Sequence, residues 1–173
     1  MFELKTREAA DKTSLYAGLR EDLQALLHGE SDLIANAANL SALLFHTLPD
    51  VNWAGVYLLK DGELVLGPFQ GKPACVRIAL GRGVCGTAAA RRESVIVPDV
   101  EAFPGHIACD SASRSELVVP IIRAQGADQG ALIGVLDLDS PTPGRFDTVD
   151  RDGCEALIAV FVNALEPAAT AQR

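Results

Sequence analysis

A chain of 173 residues, 49% hydrophobic and 22% charged, fits a single globular domain over residues 1–173 with a sizeable buried core. Its net charge of −8, with basic residues scattered rather than striped, argues against a phosphate-backbone partner, so nucleic acid is not expected. No apolar run approaches the roughly 18 residues of a membrane span, so no membrane role is expected either.

The N-terminus, Met1-Phe2-Glu3-Leu4-Lys5, has no basic region followed by an apolar core. A cytoplasmic location is therefore the expectation. In that reducing compartment Cys75, Cys85, Cys109 and Cys154 are expected to be reduced, catalytic or metal-bound rather than locked in structural disulfides.

From about Arg7 to His28, Leu15, Tyr16, Leu19, Leu23, Leu26 and Leu27 recur at three- and four-residue spacing, which predicts an amphipathic helix stopped by Gly29. A second helix is capped by Ser31 or Asp32, turns Leu33, Ile34, Ala37, Leu40, Leu44 and Phe45 inward, and ends before Pro49. Asn52 to Leu59 reads as a strand, and the hairpin signal Asp61-Gly62 returns the chain along Glu63 to Leu66.

On a strand, Trp53, Gly55 and Tyr57 share a face, with the two aromatics about 13 Å apart at the backbone. Either a small ligand lies over Gly55, or the aromatics pack in a core and the glycine relieves crowding. Gly67 to Pro73 reads as a loop and Cys75 to Leu80 as a short strand. Gly81-Arg82-Gly83 opens a helix over Val84 to Arg92; either its first amides hold a carboxylate or another anion, or the glycine pair serves tight packing, the more frequent cause.

Ser94 to Val97 is a short strand. Val100 to Ser113 has no clean periodicity and contains Pro104-Gly105, so it reads as a long loop of the kind that carries function. Cys109 lies in it. Glu116 to Ile122 and Gly130 to Asp139 are the strongest strands and are expected to form the centre of the sheet. Asp137 and Asp139 share a face roughly 7 Å apart, and Glu116 lies near them if the pair is an antiparallel hairpin. A last helix runs from about Thr148 to Leu165 with Cys154 on its apolar side, and about 166–173 is a frayed tail.

These elements make an α+β domain. The runs Asn52-Trp53-Ala54-Gly55-Val56-Tyr57, Gly67-Pro68-Phe69-Gln70-Gly71, Gly83-Val84-Cys85-Gly86, His106-Ile107-Ala108-Cys109-Asp110, Ser113 to Pro120 and Gly134 to Ser140 closely resemble the free methionine-R-sulfoxide reductases, small GAF-domain enzymes. The resemblance covers nearly everything from the second helix to the last. It implies a central, mainly antiparallel sheet with the N- and C-terminal helices on one face and a ligand pocket under loops on the other.

It further implies that Cys109 attacks, Cys75 resolves the sulfenic acid, and Cys85 is an auxiliary thiol of the disulfide relay. Trp53 and Tyr57 correspond to the aromatic walls of the methionine pocket, and Glu116, Asp137 and Asp139 to its acidic side. The implied reaction is reduction of free L-methionine-(R)-S-oxide, with thioredoxin as external reductant, no cofactor and no metal. Cys154 falls outside the pattern and is most simply a small core residue.

The chemistry agrees with this assignment. A sulfoxide sulfur is electrophilic, and its reduction takes a thiolate nucleophile and a proton on the departing oxygen. Crowded carboxylates raise the proton affinity of at least one of them and suit the substrate ammonium. The same acids and Asp110 disfavour a Cys109 thiolate, against which only His106 or Arg114 is at hand in sequence.

The first rival is a non-catalytic GAF sensor that binds a small metabolite, which is expected to sit beside an output domain. The second is a zinc site from Cys75, Cys85, Cys109 and His106, but no pair has the spacing typical of structural zinc. A homodimer is only the common expectation.

Overall fold

The computed structural model describes residues 10–105, 112–124 and 128–165. Helix α1 spans Lys12–Leu26, beginning where Asp11 caps it by accepting from the Ser14 amide at 2.7 Å. Helix α2 spans Leu33–Thr47 and is capped by Asp32 through the Ala35 amide at 2.8 Å. Leu40, Leu43 and Leu44 of α2 are buried as the spacing demands, but Ile34 is 51% exposed. The inward placement expected for Ile34 is therefore incorrect: it sits in the first turn, on the solvent side of the buried stripe.

Strands β1 (Trp53–Lys60) and β2 (Glu63–Gln70) form the expected hairpin. Asp61 and Gly62 take φ of 51° and 84°, both positive as a two-residue hairpin turn of the primed type requires. The loop expected from Gly67 corrects to strand, because β2 runs on to Gln70. The β1–β2 register shifts between Gly55 and Tyr57, so Gly67-Pro68 supplies an extra residue opposite Val56. A bulge tolerates a proline that a regular ladder excludes.

Strand β3 (Arg77–Ala79), helix α3 (Gly83–Arg91) and strand β4 (Val95–Val97) follow, with a 3₁₀ turn at Val100–Ala102 in the segment expected to be loop. Strands β5 (Ser115–Ile122) and β6 (Leu132–Ser140) pair antiparallel, and helix α4 (Thr148–Ala164) closes the described chain with Asp147 and Asp150 in a capping box.

The sheet has six strands in the order β3-β2-β1-β6-β5-β4, each neighbour antiparallel. Its centre is β1 and β6, not β5 and β6, because β2 and β3 lie beyond β1 on one side and β5 and β4 beyond β6 on the other. Alternation divides the side chains between two cores. Ala54, Val56, Leu58, Leu117, Val119, Leu136 and Leu138 meet α1, α2 and α4 on one face. Trp53, Tyr57, Val118 and Val135 meet α3 and the loops on the other. This is the expected α+β layering. Full burial of a leucine or phenylalanine is worth about 1.5–3 kcal/mol, so the three-helix face, with the larger buried cluster, carries the larger share of the hydrophobic stabilisation. Among the described residues no helix is long and apolar enough to cross a membrane.

Candidate active site

The face under α3 begins with three stacked rings. Trp53 lies 5.9 Å from Tyr57 with planes 25° apart, and 5.3 Å from Phe69 with planes 13° apart. A Cβ on Gly55 would stand 2.5 Å from Trp53 Cη2 and 2.5 Å from Phe69 Cβ. The indole therefore occupies the space over Gly55 itself. Of the two alternatives, the packing role of Gly55 is the one the ring positions support.

Both aromatics also hold the segment that carries Cys75. Trp53 Nε1 donates to the Lys72 carbonyl at 3.0 Å, and the Tyr57 hydroxyl donates to the Cys75 carbonyl at 3.0 Å. Gly71 makes the approach feasible: its φ is 124°, and a Cβ there would stand 2.7 Å from Trp53 Cδ1. Cys75 itself is half-buried.

The acidic residues converge through strand register. Glu116 of β5 pairs with Asp139 of β6, Asp139 with Trp53, and Asp137 with Gly55. Antiparallel partners point to the same face, so the conditional expectation that Glu116 joins Asp137 and Asp139 holds. Glu116 and Asp137 are each only 6% exposed.

Burial pushes both carboxyls well above the ordinary carboxylate range, with the Asp139 charge adding to the shift at Glu116 and the Glu116 charge to that at Asp137. Both groups therefore hold their protons to higher pH than an exposed carboxylate does. Asp137 Oδ1 is buried with no hydrogen-bond partner among the described residues.

Cys85, in the first turn of α3, reaches this pair. Its Sγ lies 3.9 Å from Glu116 Oε1, a long contact at the limit for a thiol hydrogen bond. Donor atoms of Cys85, Glu116 and Asp137 all lie within 4.8 Å of one another. Burial, then Asp137 and Glu116, pushes the Cys85 thiol well above its ordinary value, so at neutral pH it is a neutral donor.

At the start of α3 the Gly81 and Arg82 amides are used within the turn, donating to Gly86 and Ala79 at 2.7 and 3.1 Å. Arg82 gives the first amides of the helix no side-chain cap. The Arg114 guanidinium stands 3.8 Å from Asp99 and 3.9 Å from Glu101, an exposed carboxylate environment. A groove of about 520 Å³ beside Arg92, Pro120 and Glu155 contains none of the residues singled out in the sequence.

A GAF domain model matches residues 22–168. Free methionine-R-sulfoxide reductase of Escherichia coli is 54% identical over 155 residues, covering 90% of this chain and 91% of that protein. Protein YtsP of Bacillus subtilis is 52% identical over 170 residues, covering 97% and 98%. The X-ray structure of free methionine-R-sulfoxide reductase from Neisseria meningitidis in complex with its substrate superposes with a TM-score of 0.87 at 41% identity, covering 95% of this chain and 96% of that one. The chain belongs to the free methionine-R-sulfoxide reductase family of GAF domains.

Of the residues that the family resemblance singles out, Trp53, Tyr57, Cys85, Glu116, Asp137 and Asp139 stand on or against one face of the sheet, and Cys75 on the loop tied to it. Cys109, with His106 and Asp110, lies outside the described residues. Cys154 is buried in the opposite core, 3.7 Å from the Tyr16 hydroxyl, and its thiol is pushed up to about 12 by burial. It is a core residue, as expected.

Sequence reasoning missed two parts of this reductase-family site. Phe69 stacks on Trp53 from β2, and the signal was its place in Gly67-Pro68-Phe69-Gln70-Gly71, obscured by the expectation of a loop. Asn52 ties the strand ends together: its amide donates to the Asp139 carbonyl at 3.0 Å and its side chain donates to Ser113 Oγ at 3.3 Å.

Proposed function

We propose that this chain is an oxidoreductase that reduces free methionine-R-sulfoxide to methionine by a thiol relay. The observation that carries the reading is the buried Glu116–Asp137 pair, with one Asp137 oxygen that has no hydrogen-bond partner among the described residues, on the same face as Trp53. An ammonium satisfies that oxygen, and a proton held on one of the two raised carboxyls is the acid that a departing sulfoxide oxygen needs. Asp139, in register with both Glu116 and Trp53, completes the acidic side.

The Cys109 thiolate attacks the sulfoxide sulfur. Oxygen passes to the cysteine sulfur, methionine leaves with two electrons gained, and Cys109 becomes a sulfenic acid. The Cys75 thiol then condenses with it, forming a disulfide and releasing water. An external dithiol such as thioredoxin exchanges with that disulfide, restoring both thiols and becoming oxidised itself.

Cys85 is the auxiliary thiol. Its burial among acids keeps it protonated, which suits a reserve role better than first attack. The first amides of α3, uncapped by Arg82, suit the substrate carboxylate. A cytoplasmic setting supplies the reducing dithiol, and a homodimer is the expected assembly.

The test is methionine release from each free sulfoxide epimer with a thiol reductant, for the native protein and for Cys109→Ser. Turnover of the R epimer by the native protein and none by the variant is expected. Equal rates in the two proteins, or ligand binding without turnover, overturn the reading.

A further inference from the structure

We propose that Cys85, Glu116 and Asp137 form a chelating site for a single thiophilic divalent cation, Zn²⁺ being the reference ion, and that this ion competes with the substrate ammonium. The competition rests on the reading of Glu116 and Asp137 as the ammonium subsite; the metal site itself does not.

The geometry comes first. One donor atom from each of the three side chains lies within 4.8 Å of the other two, and all three residues are buried. Tetrahedral zinc, with bonds of about 2.3 Å to sulfur and about 2.1 Å to oxygen, sets its sulfur and oxygen ligands about 3.6 Å apart. The Cys85 Sγ to Glu116 Oε1 separation is 3.9 Å, so a few tenths of an ångström of closure brings that edge to bonding geometry.

A second observation, beyond the distances, points to a cationic ligand. Asp137 is 6% exposed, yet its Oδ1 has no hydrogen-bond partner among the described residues. A buried carboxylate oxygen in that state is costly unless something positive meets it. The ammonium of a substrate is one solution. It has no use for a sulfur ligand, whereas a metal ion does.

The donor set also selects the ion. Mg²⁺ and Ca²⁺ take oxygen shells of six or more ligands, which a thiol and two carboxylates in a closed pocket do not supply. Zn²⁺ and Co²⁺ accept a thiolate with carboxylates in four-coordinate sites, and three protein ligands leave one position for water. This ligand set differs from the cysteine and histidine set considered from sequence: it needs neither Cys75 nor any residue of the 106–111 segment. It is assembled because α3 lays Cys85 against the β5–β6 pair, a placement that no ligand spacing in the chain announces.

The test is an anaerobic titration of the reduced, metal-free protein with Co²⁺ alone, reading the near-ultraviolet absorption that a thiolate gives on binding this ion. The expected result is saturation at one equivalent with a one-thiolate band. That band persists in the Cys75→Ser/Cys109→Ser double variant and is lost in Cys85→Ser.

No band, or a band that survives Cys85→Ser, overturns the site. Should Cys85→Ser fail to fold, Asp137→Asn carries the same test: Co²⁺ affinity falls by at least about tenfold, and unchanged affinity overturns the proposal. In turnover, saturating Zn²⁺ raises the apparent KM for the sulfoxide by at least about tenfold and leaves kcat unchanged. A fall in kcat alone overturns the competition. Failure of the functional reading looks different, because metal-free protein then releases no methionine at all while the Co²⁺ spectrum is unaffected.

Discussion

The hydroxyl of Tyr57, on the central strand, donates to the carbonyl of Cys75 at 3.0 Å, so a wall of the aromatic cluster and the backbone of the cysteine proposed to resolve are held by one bond. Tyr57 is 1% exposed, which fixes the hydroxyl in place. The aromatic cluster and the Cys75 segment are therefore parts of one arrangement rather than neighbours by chance.

Tyr57→Phe keeps the ring and removes that bond. Stability should fall by about 1 kcal/mol, the usual net worth of such a bond. Loosening the segment should slow disulfide closure by on the order of tenfold, since small misplacements of reacting groups are costly. Single-turnover experiments separate the steps: methionine should appear at close to the native rate, while loss of free thiol lags. Closure at the native rate would show that the bond does not position Cys75.

Gly55→Ala tests the stacked cluster. The added methyl would stand 2.5 Å from both the Trp53 indole and Phe69 Cβ, and the indole, 3% exposed, is enclosed. Overpacking of this kind costs about 1–3 kcal/mol, read as a lower denaturant midpoint with unchanged slope. Displacing the indole should also raise KM for the sulfoxide more than it lowers kcat. A variant as stable as the native protein would mean that the rings re-stack freely.

Much of this fold was legible because its elements carry their own periodicity. Leu19 and Leu23, then Leu40 and Leu44, announce two buried helix stripes, and Asp61-Gly62 announces the turn that joins β1 to β2. Strand β2 was read too short because Gly67-Pro68 resembles a loop locally and is a bulge only in the presence of β1.

The site was legible as residue types but not as contacts. Spacing along β1 locates the backbones of Trp53 and Tyr57, yet the direction of the indole over Gly55 is a rotamer choice made by packing. Likewise Cys85 meets Glu116 through the docking of α3 on the sheet, 31 residues away in sequence, which no local pattern encodes.

The acid pair makes stability depend on pH in a definite sense. Glu116 and Asp137 have folded-state pKa values raised above their unfolded values, mainly by burial. Their contribution is fully present below the ordinary carboxylate range and is lost as pH rises through the raised values. The Tm of the ligand-free protein should therefore decline across that window. Free methionine, whose ammonium offsets the two charges, should raise Tm by an amount that grows as pH rises from the ordinary carboxylate range through the raised values. Asp137→Asn should flatten both trends. A methionine-induced shift that is constant or shrinks with pH would contradict the ammonium subsite.

Far from this chemistry, Asp150 is fully buried and accepts from the Tyr16 hydroxyl at 3.0 Å, Arg145 Nη1 at 3.0 Å, Lys12 Nζ at 2.5 Å and the Asp147 amide at 2.9 Å, joining α1, α4 and the segment before it. Asp150→Ala leaves the nearly buried Arg145 charge without its carboxylate and should cost about 3–5 kcal/mol. Beside it the hydrogen bond from Lys12 holds the Asp147 carboxyl down at about 2. A depressed folded pKa gives stability that is present above the ordinary value of 3.8 and lost as pH falls through about 2. Lys12→Met should accordingly move acid unfolding to higher pH, followed by circular dichroism. Neither change touches the acidic face, so kcat per folded molecule should stay within about twofold of native. A large loss of kcat with native stability would place this network in the reaction rather than in the scaffold.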